Sequence, residues 1–334
     1  MSRLAGVKIL VTGGAGFIGS NFVRRVLTDT YPTLTGADVV VLDALTYSGN
    51  RANLDPVADS DRLTFVHGDI TDEPLLDELM PGIDAIVHFA AESHVDRSVR
   101  DASPFILTNV LGTQRLYDAA VRHGIARVVH VSTDEVYGSI DVGSWSEDHL
   151  LEPNSPYAAS KAASDLVARA WYRTHDLNVS ITRCSNNYGP YHFPEKVIPL
   201  FITNLLDGAT VPLYGDGENA RDWLHVDDHC RAISLVLAGG RAGQVYNIGG
   251  GTELTNRELT SLLLDATGRD WSSVVAVADR KAHDRRYSVD ITKISTELGY
   301  EPQVGFEEGL AAVVEWYRNN RDWWEPLKAR AALS

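Results

Sequence analysis

Cysteine is nearly absent from this chain: Cys184 and Cys230 are the only two in 334 residues. Two are too few for a disulfide framework, and they match no metal-ligand spacing, so reduced thiols in a cytoplasmic protein and no metal site are expected. Long apolar runs are missing as well. No stretch suits a bilayer span, and the apolar run within MSRLAGVKILVTGG is cut short by glycines with no cleavage site after it. Positive charge is also scarce. Thirty Lys and Arg against 45 Asp and Glu leave a net charge of −15. That excludes nucleic acid and anionic membrane as partners, because both require a basic footprint. An anionic small molecule is not excluded, since it needs only a local group of arginines.

What is present is a globular pattern. The length is long for one domain and short for three, and the 44% hydrophobic content suits a full core. Short apolar runs at Val7–Val11, Asp38–Leu42, Leu63–Val66, Asp84–Phe89 and Arg127–Val131 read as strands. Segments with helical periodicity separate them: the face of Phe17, Ile18, Phe22, Val23, Val26 and Leu27, then Glu73–Met80 and Phe105–His123. Strands alternating with helices predict an α/β fold, a Rossmann-type doubly wound parallel sheet with a smaller C-terminal substrate-binding lobe. Runs such as Val39-Val40-Val41-Leu42 fit strands covered on both faces. After a strand near Val179–Arg183, prolines and glycines become denser, and helical patterns recur at Val197–Leu206, Val226–Leu237, Asn256–Ala266 and Phe306–Asn320. The expected division is residues 1–185, plus later returning segments, for a dinucleotide domain, and mainly 186–334 for the lobe. Lys328–Ser334 is expected to fray.

Gly13, Gly16 and Gly19 stand at G-x-x-G-x-x-G spacing between the first strand and the first helix. Such glycines let the backbone approach a pyrophosphate, whose charge the helix N-terminus then stabilises. Alone they describe only a tight turn; in this context they describe a dinucleotide site. Asp43 ends the next strand, where an acid binds a ribose diol and repels a 2′-phosphate, so NAD is favoured over NADP. Asp69-Ile70 and Phe89-Ala90-Ala91 end later strands on the same edge, and are placed beside the adenine and pyrophosphate.

Tyr157 and Lys161 are four apart after the helix-start signal Ser155-Pro156, so they share one helix face. A tyrosine is a poor base at its usual pKa of about 10. An adjacent ammonium and a positive nicotinamide ring are expected to lower that value and let the phenolate take a proton from a hydroxyl. Thr133, Asp134 and Glu135 follow the strand at Arg127–Val131. Successive strand side chains face opposite ways, but past a strand end the chain can turn both carboxyls into one pocket, as an acid and a base. Read without their surroundings, these would be an ordinary surface Tyr/Lys pair and two solvated loop acids.

TGGAGFIGS, FAAESHVDRS, STDEVYG, YAASK, NNYGPYHFPEK, RDWLHVDD and HDRRY occur in that order from residue 12 to residue 287. With these motifs the chain resembles the extended short-chain dehydrogenase/reductase superfamily, and within it the dTDP-glucose 4,6-dehydratases. The glycine motif and Tyr-x-x-x-Lys are shared across that superfamily; the Thr-Asp-Glu triplet is the more specific feature. The resemblance implies a homodimeric enzyme acting on dTDP-glucose with tightly bound NAD that is recycled within each turnover. Tyr157 and NAD oxidise C-4, with Thr133 beside that oxygen. Glu135 then removes the C-5 proton and Asp134 protonates the departing C-6 hydroxyl. Hydride returns to C-6 and Glu135 reprotonates C-5.

The same resemblance implies that Phe17, Ile18, Leu45, Thr46, Thr108, Ser93 and Asn187 also contact NAD. It places Ser93 and His94 by the hexose, Asn186 by the phosphate, and Glu195, Lys196, Val197, Pro212 and Tyr214 around the nucleotide. Arg221 and Arg285 suit the diphosphate, because a guanidinium binds phosphate oxygens bidentately; Asn256, His283 and Tyr287 complete that wall. The chain departs from the family pattern at Arg280-Lys281-Ala282-His283, where the family often has Arg-Pro-Gly-His. In related enzymes helices like Phe105–His123 and Tyr157–Thr174 pair across a two-fold axis as a four-helix bundle; here they could equally cover the sheet. The alternative activities are a sugar-nucleotide 4-epimerase and a 4,6-dehydratase of another nucleotide sugar. A non-catalytic dinucleotide sensor would lack the tyrosine or the lysine.

Overall fold

The structure, a computed structural model, describes residues 6–279 and 283–332. The departure at 280–282 therefore lies outside the described residues, as do 333–334. The early strands are β1 (Lys8–Thr12), β2 (Asp38–Asp43), β3 (Leu63–His67), β4 (Ala85–His88), β5 (Arg127–Thr133) and β6 (Val179–Cys184). Later come β7 (Asn186–Tyr188), β8 (Val211–Tyr214), β9 (Ala220–His225), β10 (Val245–Ile248), β11 (Glu253–Thr255) and β12 (Val274–Val277). One seven-stranded sheet has the order β10-β6-β5-β4-β1-β2-β3, and every neighbouring pair in it is parallel. This is the expected Rossmann-type sheet, extended by the late strand β10.

The apolar runs form strands because both faces are covered. Val39 and Val41 enter one core with Ile9, Val11 and Phe22. Val40 and Leu42 enter the opposite core with Leu10, Ile86 and Leu116. The order reverses between β1 and β4, and the strand ends there open the crevice where such sheets bind ligands.

A separate core, built from Tyr188, Phe201, Ile202, Trp223, Leu259, Val313, Tyr317 and Trp324, lies in the second half. The helix Val226–Gly239, by contrast, packs Cys230, Ile233, Val236 and Leu237 into the first core. Two small sheets, β11-β9-β7 and β12-β8, complete the fold.

The expected Phe105–His123 helix is instead three consecutive helical pieces, Ser103–Phe105, a π-helical Ile106–Gly112 and Thr113–Arg122. Gly112 lies against Ile70, so close that an added Cβ would come within 2.7 Å of that side chain. The frayed end expected at Lys328–Ser334 is corrected in its described part. A helix, Arg321–Ala332, runs through it, because Trp324 is fully buried and Lys328 Nζ pairs with Asp207 at 2.7 Å. Among the described residues no helix is long and apolar enough to cross a membrane.

Candidate active site

A cleft of about 290 Å³ runs along the strand ends. Its first wall is the glycine turn after β1. Gly13 has φ +69°, and a Cβ there would lie 2.6 Å from the Ala90 backbone nitrogen. The left-handed conformation alone would cost a larger residue about 1–2 kcal/mol. The clash decides the matter, because backbone on both sides cannot yield. Gly16 caps the helix Phe17–Leu27 without a side-chain bond, which leaves the first helical N–H groups open for an anion.

Asp43 closes the far end of this wall. Its Oδ2 accepts from the Ala15 N–H and its Oδ1 from the Leu45 N–H, both at 2.8 Å. Burial raises its pKa, while those two N–H groups oppose the rise. A carboxylate has about four acceptor positions, so capacity remains for a diol. The cleft also holds buried polar atoms without protein partners, among them Ser132 Oγ, Asn186 Oδ1, Glu195 Oε1 and Asp134 Oδ2. Buried polar groups are normally satisfied. A glycine cradle, an uncapped helix start and these orphaned atoms together fit a bound dinucleotide with a polar co-ligand.

The second wall carries the groups expected to react. Ser155 Oγ accepts from the Ala158 N–H and starts the helix Pro156–His175, which presents Tyr157 and Lys161 on one face. Lys161 Nζ donates to the Val131 carbonyl at 2.8 Å, joining the helix to β5. Burial lowers the ammonium to about 8, although Asp165 and Cys184 act the other way. In the protein alone, burial, then the nearby Glu135, raises the pKa of Tyr157 well above 10, against a hydrogen bond with Thr133; the expected lowering draws on the positive nicotinamide ring as well as the ammonium. A phenol shut away from water holds its proton.

Thr133 ends β5 and caps a 3-10 turn, Asp134–Tyr137. Its hydroxyl accepts from the Glu135 N–H and donates to Asp134 Oδ1, both at 3.3 Å. The turn answers the strand-alternation problem: both carboxyls line the same cleft as Tyr157 and Lys161. Burial first, then Glu135 and Asp222, push Asp134 well above the usual carboxylate range, against Arg221 and Thr133. The turn is held from beneath by Val136 and Tyr137, which pack with Trp145, Ala162 and Tyr287.

Of the residues expected around the cofactor, the cleft gathers Gly13, Gly16, Phe17, Ile18, Gly19, Asp43, Thr46, Asp69, Ile70, Phe89, Ala90, Ala91, Ser93, Thr108 and Asn187. Leu45 stays outside it, at positive φ, bracing Asp43. Of the residues expected around the substrate, Ser93, Thr133, Asn186, Glu195 and Lys196 line it. His94 does not; its ring caps the next helix and lies 3.6 Å from Glu195.

Val197, Pro212, Tyr214, Arg221, Asn256, His283, Arg285 and Tyr287 also lie outside the cleft lining. Several form a wall of their own. The Arg221 guanidinium sits 4.1 Å over the Tyr287 ring, the Ala220 N–H donates to the Arg285 carbonyl, and Tyr214 meets His283 edge-on. This wall faces the acid pair, since Glu135 acts on Tyr287 and Arg221 on Asp134. Arg285 is exposed and paired with Asp216 at 2.9 Å. Sequence reasoning missed Glu92, Ser132, His192 and Phe193 in the lining. Glu92 follows a strand end already read as facing the crevice, and His192, stacked on Phe17 at 4.1 Å, lies within the motif NNYGPYHFPEK; both were usable signals.

The family model described as GDP-mannose 4,6 dehydratase matches residues 10–313. A dTDP-glucose 4,6-dehydratase of Streptomyces niveus is 62% identical over 323 residues, covering 97% of this chain and 96% of that protein. A solved dTDP-glucose 4,6-dehydratase of Streptomyces venezuelae, with NAD and dTDP bound, superposes with a TM-score of 0.95 at 68% identity, covering 96% of this chain and 100% of that one. A UDP-glucose 4-epimerase of Thermotoga maritima, solved with UDP-glucose, reaches a TM-score of 0.87 at 33% identity over 94% of this chain and 100% of its own.

An amine lowered to about 8 carries its charge below that pH and loses it above. Any reaction that draws on the Lys161 ammonium should therefore lose rate as pH rises through about 8, seen as a descending limb in kcat/KM. Lys161→Arg, which stays charged, should move that limb upward; a profile flat across the range in the unaltered protein would contradict the assignment.

Proposed function

The chain belongs to the family described as GDP-mannose 4,6 dehydratase, and on that membership we propose that it is a dTDP-glucose 4,6-dehydratase. It is a hydro-lyase that turns dTDP-glucose into dTDP-4-keto-6-deoxyglucose. The observation that carries this reading is the turn that brings Asp134 and Glu135 into one cleft with Tyr157 and Lys161. The glycine turn, the start of helix Phe17–Leu27 and Asp43 would hold NAD, which when bound would supply a recyclable two-electron acceptor and a positively charged ring.

The chain's own groups have separate tasks. Tyr157 gives up its own proton to solvent once its surroundings are more positive than the protein alone makes them, and as a phenolate it takes the C-4 hydroxyl proton. Lys161, fixed on the Val131 carbonyl, supplies part of that charge, and Thr133 orients the C-4 oxygen. The 4-ketone acidifies C-5–H, and Glu135 takes that proton. Asp134, which burial and neighbouring carboxyls favour in the neutral form, gives its proton to the C-6 hydroxyl, which leaves as water. Glu135 afterwards returns a proton to C-5. Two carboxyls in different environments thus serve as base and acid. Epimerisation at C-4 has no task for this pair, which weighs against an epimerase despite the shared fold.

The separate core around Phe201 and Trp324 supports a division into a cofactor domain, 1–185 with later returning segments, and a sugar-nucleotide lobe from 186 onward. The orphaned Asn186 and Glu195 atoms support their substrate roles. The protein works in the cytoplasm as a homodimer. Supporting the dimer, Ile106, Leu107 and Leu166 leave apolar surface exposed on the helices that would form a four-helix bundle with a second copy.

Incubation with dTDP-glucose and no added cofactor should yield a product one water lighter; an equal-mass C-4 epimer would contradict the assignment. In Asp134→Asn, dehydration should slow by roughly 10²–10⁴-fold, the usual reach of a general acid. The 4-keto hexose and reduced cofactor should then build up. Equal collapse of the oxidation step would refute the division of roles. Sedimentation should find a dimer at micromolar concentration, and Leu107→Glu should shift it towards monomer; a monomer in the unaltered protein would reject the bundle.

A further inference from the structure

The segment 44–49, between β2 and the turn at Arg51–Val57, has no strand or helix of its own. Ala44, Thr46, Ser48 and Gly49 nevertheless line the cleft next to Asp43. Loop carbonyls without ladder partners need other donors or water. Two of them, Thr46 and Tyr47, receive hydrogen bonds from the same guanidinium nitrogen, Nη2 of Arg330, the first at 2.7 Å. Arg330 lies more than 280 residues away in sequence, near the end of the helix Arg321–Ala332.

That helix is fixed to the lobe. Trp324 is fully buried in the lobe core and its indole N–H donates to the Tyr317 carbonyl at 2.7 Å; Arg321 and Lys328 both pair with Asp207. It also has a second link to the sheet half. The Trp323 indole N–H donates to Asn53 Oδ1 at 3.0 Å, and Asn53 Nδ2 donates to the Ala15 carbonyl at 2.9 Å, inside the glycine turn. Arg330 further lies 5.9 Å over the ring of Phe193, a residue of the cleft wall that meets Tyr47 edge-on. One helix of the lobe thus ties down both the glycine turn and the loop after Asp43.

We propose that Arg330 and Trp323 are positioning residues for the cofactor: the helix Arg321–Ala332 is a strap that holds the 44–49 loop and the glycine turn closed on NAD, so that the nucleotide survives repeated turnovers. The proposal rests on the NAD-recycling reading above. That reaction regenerates its cofactor within each cycle, so every escape of NAD idles a molecule until it rebinds. A strap acting on the loop slows escape without touching the reacting atoms.

The test uses the full-length holoprotein. Released NAD is trapped by excess alcohol dehydrogenase with ethanol and read as NADH fluorescence, and bound nucleotide per chain is measured after gel filtration. Arg330→Ala should release NAD roughly tenfold faster, the effect of about one charge-assisted hydrogen bond. It should emerge from the column depleted, and regain its kcat in saturating NAD. Arg330→Lys should lie between the two, and Trp323→Phe, which keeps the packing but loses the N–H, should also release faster. If Arg330→Ala fails to fold, Trp323→Phe and Arg330→Lys decide. Release rates equal to the unaltered protein's in the folded variants would overturn the strap while leaving the NAD reading intact. An unaltered protein that neither carries nor binds NAD would remove the reading beneath it.

Discussion

A buried guanidinium joins the two halves of the chemistry. Arg183, on β6, is buried beneath the cleft, and its Nε donates to Asp165 on the Tyr157 helix at 2.9 Å. Its Nη1 donates to the Tyr137 hydroxyl at 2.8 Å, in the turn that carries Asp134 and Glu135. Tyr137 in turn donates to Asn247 on β10. Helix, turn and two strands are therefore fixed by one charge. Replacing such a pair with apolar residues can be neutral, but removing one partner leaves the other charge stranded at about 3–5 kcal/mol. The link is therefore better read as a device for relative placement than as a source of net stability. The placement it secures is that of the phenol against the two carboxyls.

The same burial sets the protonation states. Asp165 is pushed up by desolvation, yet Arg183 and then His130 override this and hold it at about 2. Its negative charge opposes the desolvation of Lys161. On the cleft side burial, then Glu135 and Asp222, favour the neutral form of Asp134 and prevail over Arg221 and Thr133. Two aspartates equally shut away from water are thus driven in opposite directions by their neighbours. One is held as a counter-charge, and the other is driven toward the neutral form that the proposed acid role requires.

Much of this was readable in the sequence because it is local. Val39–Leu42 read as a strand covered on both faces and splits its side chains between two cores. The Ser155 cap, Tyr157 and Lys161 needed only helical spacing. β7 to β12 went unread, being mostly three or four residues long and too short for a period of two to show. The rest depends on distance along the chain. Arg183 meets partners 18 and 46 residues away, and Arg330 meets a loop more than 280 residues earlier; no periodicity signals either. The burial that raises Tyr157 likewise belongs to the folded protein and leaves no mark on the sequence.

The proposed acid role of Asp134 requires a carboxyl that still holds its proton when the protein works, the form that burial, Glu135 and Asp222 favour. Infrared difference spectroscopy of the holoprotein, unaltered against Asp134→Asn, tests it most directly. The account predicts a protonated-carboxyl C=O band at neutral pH that the variant lacks. A difference spectrum showing only carboxylate bands for Asp134 at that pH would contradict it.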